Sequence, residues 1–185
     1  MAAPADMTAR NLSGKFALNK EFTKNDELLK AQGVSWMLRK TIGAATPRLT
    51  MTHTVDDAGM EHIALVQGIG KGGEKVNERA LDGVERENEG ALFGKTADSS
   101  SRKTLAEVST CKWLAEGWLE ESFLDGKIIH VRTKGESGWT MEQTWGFQTL
   151  GGKKLHVRKM HMVCAKGEVV EGLMVYNYGQ SLMRL

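Results

Sequence analysis

The sequence predicts an all-β protein: a single up-and-down antiparallel β-barrel of about ten strands, with a short helix-turn-helix lid after the first strand. Strand-like runs follow one another at regular spacing and are joined by glycine turns, such as Asp125-Gly126 and Gly151-Gly152. Such spacing is typical of an antiparallel meander. The one extended helix-like stretch follows the first strand. Because strands and helices do not alternate, the pattern does not favour a parallel nucleotide-binding sheet.

The lid is predicted from capping residues. Asn25 or Asp26 can cap a first helix that runs to residue 32, because a short oxygen-bearing side chain accepts hydrogen bonds from the first helical turn. Gly33 ends this helix. Ser35 caps a second helix over residues 36–44.

The remaining chain is predicted to be strands and turns. Asp82-Gly83 is typical of a tight hairpin, the serine-rich stretch 98–102 of a loop, and the glycine-rich stretch 68–73 of a flexible connection. Residues 103–117 are expected to hold a short strand and a helical turn that contains Cys111. The predicted strands are residues 13–20, 48–55, 60–67, 74–81, one or two strands within 84–95, and then 118–124, 127–134, 139–150, 153–165 and 168–178.

Composition limits the classes of function. The 185 residues predict one domain, with a flexible tail over residues 1–10 and the barrel over residues 11–180. Charges nearly balance, with 25 Lys and Arg against 23 Asp and Glu, so no nucleic-acid partner is expected. No signal peptide or membrane span is predicted. Cys111 and Cys164 have no metal-like spacing, which favours a reduced, cytoplasmic chain. A monomer and a homodimer both remain open.

The sequence contains Gly14-Lys15-Phe16 near its start, Gln32-Gly33-Val34 after the first helix and Val175-Tyr176 in the last strand. In these three stretches it resembles the fatty-acid-binding proteins and the wider lipocalin-like calycin group. Gly14-Lys15-Phe16 is similar to the group's opening Gly-x-Trp/Phe motif. Gln32-Gly33-Val34, with Arg39-Lys40 and Pro47, resembles the lid and its return into the second strand. Val175-Tyr176 resembles the closing strand, whose tyrosine holds a ligand carboxylate.

The resemblance implies a lipocalin-like barrel that encloses a hydrophobic ligand. The fatty-acid-binding family pairs the closing tyrosine with an arginine two residues earlier, where this chain has Met174. The chain is also similar to small lipocalin-like proteins of filamentous fungi. Some barrels of this broad kind act in natural-product pathways as cofactor-free cyclases or isomerases.

Alternate residues of a barrel strand face the cavity, which selects the candidate site residues. Tyr176 shares a face with Met174 and is either a donor or general acid towards a ligand or a core tyrosine. His53 shares a face with Met51 and is either a base or a hydrogen-bonded core histidine. Because no third ligand accompanies His53 and His62, no metal site is predicted.

The same alternation applies to polar residues on other strands. Arg158 shares a face with Met160. It is either a bidentate donor to an enol or carbonyl oxygen or a solvated arginine, and the same two alternatives apply to Arg79. Glu61 and Gln67 lie together on one face, which is either the cavity or the surface.

Aromatic residues are the last candidates. Trp145 alternates with Gln143, and Trp118 precedes it in a tryptophan-rich half of the chain. Flat aromatic walls suit an aromatic or polyene ligand, whereas simple core filling is the alternative.

The catalytic hypothesis assigns Tyr176, Arg158 and His53 as catalytic residues. The barrel would bind a hydrophobic, conjugated or aromatic natural-product-like molecule and catalyse a cofactor-free cyclisation or isomerisation. The first alternative is a non-catalytic intracellular carrier of a fatty acid or another hydrophobic ligand, and the second is a protein–protein module. The predicted ligand-binding residues are Met51, Glu61, Gln67, Arg79, Gln143, Trp145, Met160, Met174 and Trp118.

Overall fold

The computed structural model describes residues 1–68, 74–90, 92–108 and 111–179. Ten antiparallel strands form one curled sheet with a helical lid after the first strand, as the sequence predicts. The helices are α1 (Asp26–Ala31), α2 (Trp36–Ala44) and α3 (Lys112–Ala115), and Glu120–Ser122 forms a 3-10 turn. The strands are β1 (Gly14–Leu18), β2 (Arg48–Val55), β3 (Glu61–Gly68), β4 (Glu74–Ala80), β5 (Arg86–Gly90), β6 (Gly94–Lys103), β7 (Ile128–Gly135), β8 (Thr140–Leu150), β9 (Lys153–Val163) and β10 (Val169–Tyr178).

The first and last strands close the sheet. β1 pairs with both β2 and β10, which gives the strand order β4-β3-β2-β1-β10-β9-β8-β7-β6-β5. β4 and β5 are therefore the two edges, although they follow each other in the chain. The edges meet through β6, where Asp82 bridges Ser101 and the Gly83 N–H donates to the Ser100 carbonyl at 2.8 Å.

Two local predictions are wrong. Asp82-Gly83 is not a tight hairpin, because β4 pairs only with β3 and β5 only with β6 among the described strands. Residues 98–102 are not a loop but part of β6, where Asp98 and Ser100 accept hydrogen bonds from the Arg79 guanidinium. The sequence does not show that Arg79 bonds these residues. Their serine-rich composition by itself therefore favours a loop.

Residues 118–124 are also not a strand. The segment makes the 3-10 turn beside β8, and the Leu119 N–H donates to the Phe147 carbonyl at 3.0 Å. The Phe147 N–H donates to Ser122 Oγ at 2.8 Å. β7 pairs with β8 only as far as Trp145. Beyond that point, the segment forms hydrogen bonds with backbone groups of β8 that β7 leaves unpaired. The glycine-rich stretch 69–73 lies outside the described residues.

The barrel has two distinct ends. At the end where β1 stops and β2 starts, here called the lid end, α1 packs on β10 and Leu28 is buried against Gly172. Gly33, with φ +86°, ends α1, and Ser35 Oγ caps α2. Asn25 precedes α1 without a capping side-chain hydrogen bond.

The opposite end, here called the base, is covered by the N-terminal segment. The sequence predicts a flexible tail over residues 1–10, whereas Ala3, Met7 and Ala9 are buried in the structure. The Ala3 N–H donates to the Lys154 carbonyl at 2.8 Å, and Lys154 Nζ donates to the Met7 carbonyl at 2.7 Å. Leu12 is fully buried in the inner core.

The sheet has apolar packing on both faces. The inner core contains Phe16, Met51, Ile63 and Phe147, and it fills the base half of the barrel. Residues 104–108 and 111–123, here called the strap, pack on the outer face of the sheet and bury Val108, Leu114 and Ile128. No helix within the described ranges is long and apolar enough to cross a membrane.

Replacing Gly172 by alanine tests how helix α1 of the lid packs on β10. A Cβ at Gly172 would overlap the Leu28 side chain and lie 3.1 Å from the Lys24 carbonyl, so α1 must shift. We expect Gly172→Ala to lower the free energy of unfolding by about 1–3 kcal/mol, measured by urea denaturation. Gly43→Ala is the control, because nothing lies within 4 Å of its added Cβ, and a helical alanine stabilises by up to about 1 kcal/mol. Equal stability of the two variants would contradict this packing.

Candidate active site

The antiparallel register of three strands assembles polar groups inside the barrel. Trp145 on β8 lies directly opposite Arg158 on β9, and Arg158 lies opposite Met174 on β10. One step nearer the base, His156 on β9 lies opposite Tyr176 on β10. Since residues of one parity share a face, all five side chains are on the inner face of the sheet.

Arg158 is at the centre of this group. Its guanidinium carbon lies 3.8 Å from the centre of the Trp145 ring and 5.2 Å from that of Tyr176. Its nitrogens approach His156 Nε2 and Met51 Sδ, each at 3.5 Å. These are a cation–π stack and two weak acceptors. No acidic side chain among the described residues forms an ion pair with Arg158.

A buried guanidinium without a counter-ion is energetically unusual. Burial lowers the pKa of Arg158 because the charged form loses its hydration, although an arginine remains protonated at neutral pH. Buried charges are normally paired. The Trp145 face compensates only part of the lost hydration, so the site favours a ligand that brings an anionic or strongly accepting oxygen.

Tyr176 supplies a second donor beside Arg158. It is 3% exposed, and burial raises the pKa of its phenol, which keeps the hydroxyl protonated. That hydroxyl points at Met174 Sδ at 3.8 Å, and a thioether is a weak acceptor. A ligand oxygen would therefore be a better partner than the one present.

Arg158 supplies an arginine beside Tyr176, as the fatty-acid-binding pattern does, but from a different strand. The fatty-acid-binding pattern has an arginine where this chain has Met174. The structure sets Arg158 directly opposite Met174 on the neighbouring strand. An arginine is thus present at the level of Met174, beside Tyr176, on a different strand.

Arg79 approaches the other side of Trp145. Its guanidinium carbon is 5.9 Å from the Trp145 ring centre, and its nitrogens donate to Asp98 and Ser100 at 3.4 Å. Burial lowers the pKa of Arg79, and the Asp98 carboxylate opposes this shift. Arg79 is therefore neutralised by a partner, whereas Arg158 is not. A cavity of about 30 Å³ adjoins Arg79, Asp98 and Ser100 between the edge strands.

Other predicted ligand-binding residues line the lid half of the interior. Gln143 Oε1 accepts from Trp145 Nε1 at 3.1 Å, which fixes the indole ring. Met160 is buried and packs with Met174 in a methionine-rich cluster under Leu28. Gln67 lies on the inner face of β3 but is exposed.

His53 and Glu61 lie at the base. His53 Nδ1 accepts from the Leu12 N–H at 3.3 Å, and Nε2 lies 2.9 Å from Glu61 Oε2. Arg102 donates to both Glu61 oxygens at 2.7 and 2.6 Å and to the Ala9 carbonyl at 2.7 Å. Nδ1 of His53 thus holds the N-terminal segment directly at Leu12. Nε2 holds it indirectly, because Glu61 binds Arg102, which in turn binds the Ala9 carbonyl. The structure does not bring His53 into the Arg158–Tyr176 group.

Trp118 lies outside the barrel. It packs with Leu114 and the outer-face residue Val157, and its Nε1 donates to the Leu114 carbonyl at 2.8 Å. A Cβ at Gly146 would lie 3.0 Å from the Trp118 ring, and Gly146 faces outward because its neighbour Trp145 faces inward. The prediction that Trp118 contacts an interior ligand is therefore wrong. Composition alone did not separate inner from outer tryptophans.

His156 is an interior residue that the candidate set omits. It is fully buried between the rings of Phe16, Phe147 and Tyr176, at centroid distances of 5.5–5.9 Å. Burial, and then the nearby Arg158 charge, hold the pKa of His156 well below its usual value, so the ring is neutral. Its alternation with Arg158 along β9 is the sequence signal that identifies it.

One known protein resembles nearly the whole chain. The probable pericyclase scpY of Mollisia scopiformis is 31% identical over 187 residues, which cover 96% of this chain and 94% of that protein. The chain belongs to the family of this probable pericyclase. No protein-family model matches the sequence.

Solved structures share the fold of this chain. The fatty acid binding protein of Schistosoma mansoni, in complex with arachidonic acid, superposes with a TM-score of 0.53 at 14% identity, covering 95% of this chain and 100% of that one. The wild-type fluorescent protein UnaG superposes with a TM-score of 0.52 at 14% identity, covering 91% and 97%. At this identity the likeness concerns the fold, which is the calycin-type barrel that the sequence resemblance implies.

His53 and His156, which are both buried, predict a pH-dependent stability. Burial lowers the pKa of His53 and of His156, whereas both titrate near 6.5 in the unfolded chain. Below about pH 6.5 these histidines bind protons in the unfolded state but stay neutral in the folded state. The free energy of unfolding therefore falls as the pH decreases. Each group contributes up to about 1.4 kcal/mol per pH unit. Urea midpoints between pH 7.5 and 5.5 measure this slope, and His156→Gln should reduce it. An unchanged slope would contradict a neutral His156.

Glu61 tests the fastening of the N-terminal segment. Glu61→Gln leaves the Arg102 guanidinium without its carboxylate, and we expect a loss of about 1–3 kcal/mol and faster proteolysis within residues 1–12. Glu27→Gln is the control, because the Glu27–Lys30 pair is on the surface. Limited proteolysis followed by mass spectrometry locates the cuts. Equal cleavage of both variants would show that Glu61 does not hold the segment.

Proposed function

We propose that the chain is a pericyclase that folds a conjugated, hydrophobic substrate inside the barrel and accelerates its cyclisation or isomerisation. The observation that supports this most is the buried Arg158, which stacks on Trp145 and has no acidic partner in the part of the chain that the structure describes. The full-length relative named a probable pericyclase supports the reaction class.

The walls supply the main requirement of a pericyclic reaction. Such a reaction passes through one ordered cyclic arrangement, so a flexible chain must be held with its reacting carbons in contact. Trp145 offers a flat face, while Met51, Met160 and Met174 offer adaptable thioethers. Apolar burial binds the polyene portion of the substrate.

The donors act on the polar end of the substrate. Arg158 and the Tyr176 hydroxyl would both bind a carbonyl or enolate oxygen conjugated to the reacting double bonds. They withdraw electron density and stabilise the charge that builds on that oxygen in the transition state. The reaction rearranges bonding electrons within one molecule, so no atom, proton or electron leaves, and the product has the mass of the substrate.

His53 has no step in this proposal, because its ring nitrogens bond Leu12 and Glu61. Neutral His156 would support Arg158 by accepting from its Nε. The reaction needs no added cofactor, because the substrate supplies all the electrons that move.

Passive carriage is the second candidate function. The Arg158–Tyr176 pair could hold the carboxylate of a fatty acid, and the fold is that of a fatty acid binding protein. Carriage and catalysis differ only in turnover, so one experiment separates them.

The decisive experiment uses the pure protein and a metabolite extract of its source organism. Mass spectrometry should find a compound that the protein retains and that decreases as an isomer of equal mass appears. Heat-denatured protein measures the spontaneous reaction. Retention without conversion would establish the carrier and contradict the pericyclase.

Variants then test the donors. We expect Arg158→Gln to lower the turnover rate roughly 100-fold, as for the loss of one oxyanion donor, and Tyr176→Phe to lower it about tenfold. Arg132→Gln is the control, because Arg132 is exposed on the outer face of β7. Turnover by Arg158→Gln at the wild-type rate would contradict the assignment.

A further inference from the structure

A second cluster of reactive side chains lies on the outer face of the sheet. His161 on β9 and Glu171 on β10 are direct cross-strand partners, and both face outward because Met160 and Met162 face inward. Cys111 of the strap stands immediately before α3, close to both. The tertiary structure thus joins three residues that are separated by 50 and 10 positions in the sequence.

The three ligand atoms converge on one point. Cys111 Sγ lies 3.1 Å from His161 Nδ1, Glu171 Oε1 lies 3.7 Å from the same nitrogen, and all three atoms lie within 4.8 Å of one another. Zinc bonds of about 2.3 Å to sulfur and about 2.0–2.1 Å to nitrogen or oxygen place tetrahedral ligand atoms about 3.4–3.6 Å apart. The sulfur–nitrogen distance of 3.1 Å and the oxygen–nitrogen distance of 3.7 Å each lie within about 0.5 Å of this geometry, and the sulfur–oxygen distance is below 4.8 Å.

The arrangement does not fit a nucleophilic triad. In a triad, the histidine bonds the nucleophile through one ring nitrogen and the carboxylate through the other. Here the thiol and the carboxylate both approach Nδ1 of His161, so no relay runs through the ring. The three ligand atoms instead lie close together on one side of the ring, which is compatible with a shared cation.

The surroundings are compatible with a bound cation. Lys159 is nearby, but its ammonium donates to the Trp113 and Glu116 carbonyls at 2.9 and 2.7 Å and is held there. The Glu171 side chain is 46% exposed, which leaves room for water as a fourth ligand. A thiolate and a carboxylate together outweigh the single lysine charge.

We propose that Cys111, His161 and Glu171 bind a divalent cation of tetrahedral preference, namely Zn²⁺, with water in the fourth position. One sulfur, one nitrogen and one oxygen ligand are a donor set that suits zinc. The cation fastens the strap to β9 and β10. Binding displaces the thiol proton, so the affinity decreases as the pH falls.

Cobalt substitution tests the site with the full-length chain under reducing conditions. We expect one equivalent of Co²⁺ to bind with a thiolate-to-cobalt absorption band in the near ultraviolet, and Zn²⁺ to displace it. Cys111→Ser should abolish the band, and His161→Gln and Glu171→Gln should each weaken binding at least about tenfold. Excess Zn²⁺ should raise the thermal midpoint of the wild type.

Cys164→Ser is the matched control, because Cys164 packs with the methionines near the lid and is not part of the cluster. It should retain the band, and circular dichroism checks that each variant is folded. If Cys111→Ser fails to fold, the His161 and Glu171 variants decide. A wild type without the band, or a band that survives Cys111→Ser, would overturn the site. The cluster lies on the opposite face of the sheet from Arg158. The outcome of the cobalt experiment therefore neither supports nor contradicts the reaction proposed inside the barrel.

Discussion

The pairing of β1 with β10 is the constraint on which the rest of the structure depends. It joins strands from opposite ends of the chain, with Phe16 opposite Tyr178 and Leu18 opposite Tyr176. This pairing curls the sheet and converts the inner face of β8, β9 and β10 into an interior. Without it, Arg158 would face water and would not need a ligand oxygen. Closure of the barrel therefore buries both the apolar core and the Arg158 guanidinium of the candidate site.

The interior differs between the two ends of the barrel. Towards the base, Phe16, Phe147 and the N-terminal segment fill the barrel, and His53 is held in place by Glu61 and Leu12. Towards the lid, methionines surround Arg158. A rigid base and an adaptable lid half suit a protein that must enclose a flexible molecule, because thioether chains rearrange at low cost.

The strap gives the sheet a second core. The described residues of the strap cover the outer face of strands that a simple barrel would leave in water, and Leu114, Val157 and Val175 are fully buried there. This cover packs against β8, β9 and β10 from outside, while Trp145, Arg158 and Tyr176 lie on their inner face. It also brings Cys111 beside His161, and a cation there would lock the strap onto the same three-strand region.

The sequence by itself determined the alternation of faces and the order of elements. Period-two alternation is local, so neighbouring residues show that Arg158 shares a face with Met160 and that Tyr176 shares a face with Met174. The lid is equally local, since Ser35 and Gly33 act within one turn. The resemblance to fatty-acid-binding proteins identified the closing strand and its tyrosine.

Only the tertiary structure decided which groups meet. Alternation fixes a face but not a partner across the sheet; register alone placed Arg158 opposite Trp145. For the same reason, sequence reasoning took residues 98–102 for a loop, because their partner Arg79 lies on another strand. It likewise assigned Trp118 to the interior, since an aromatic ring fits either face of a sheet that is covered on both sides.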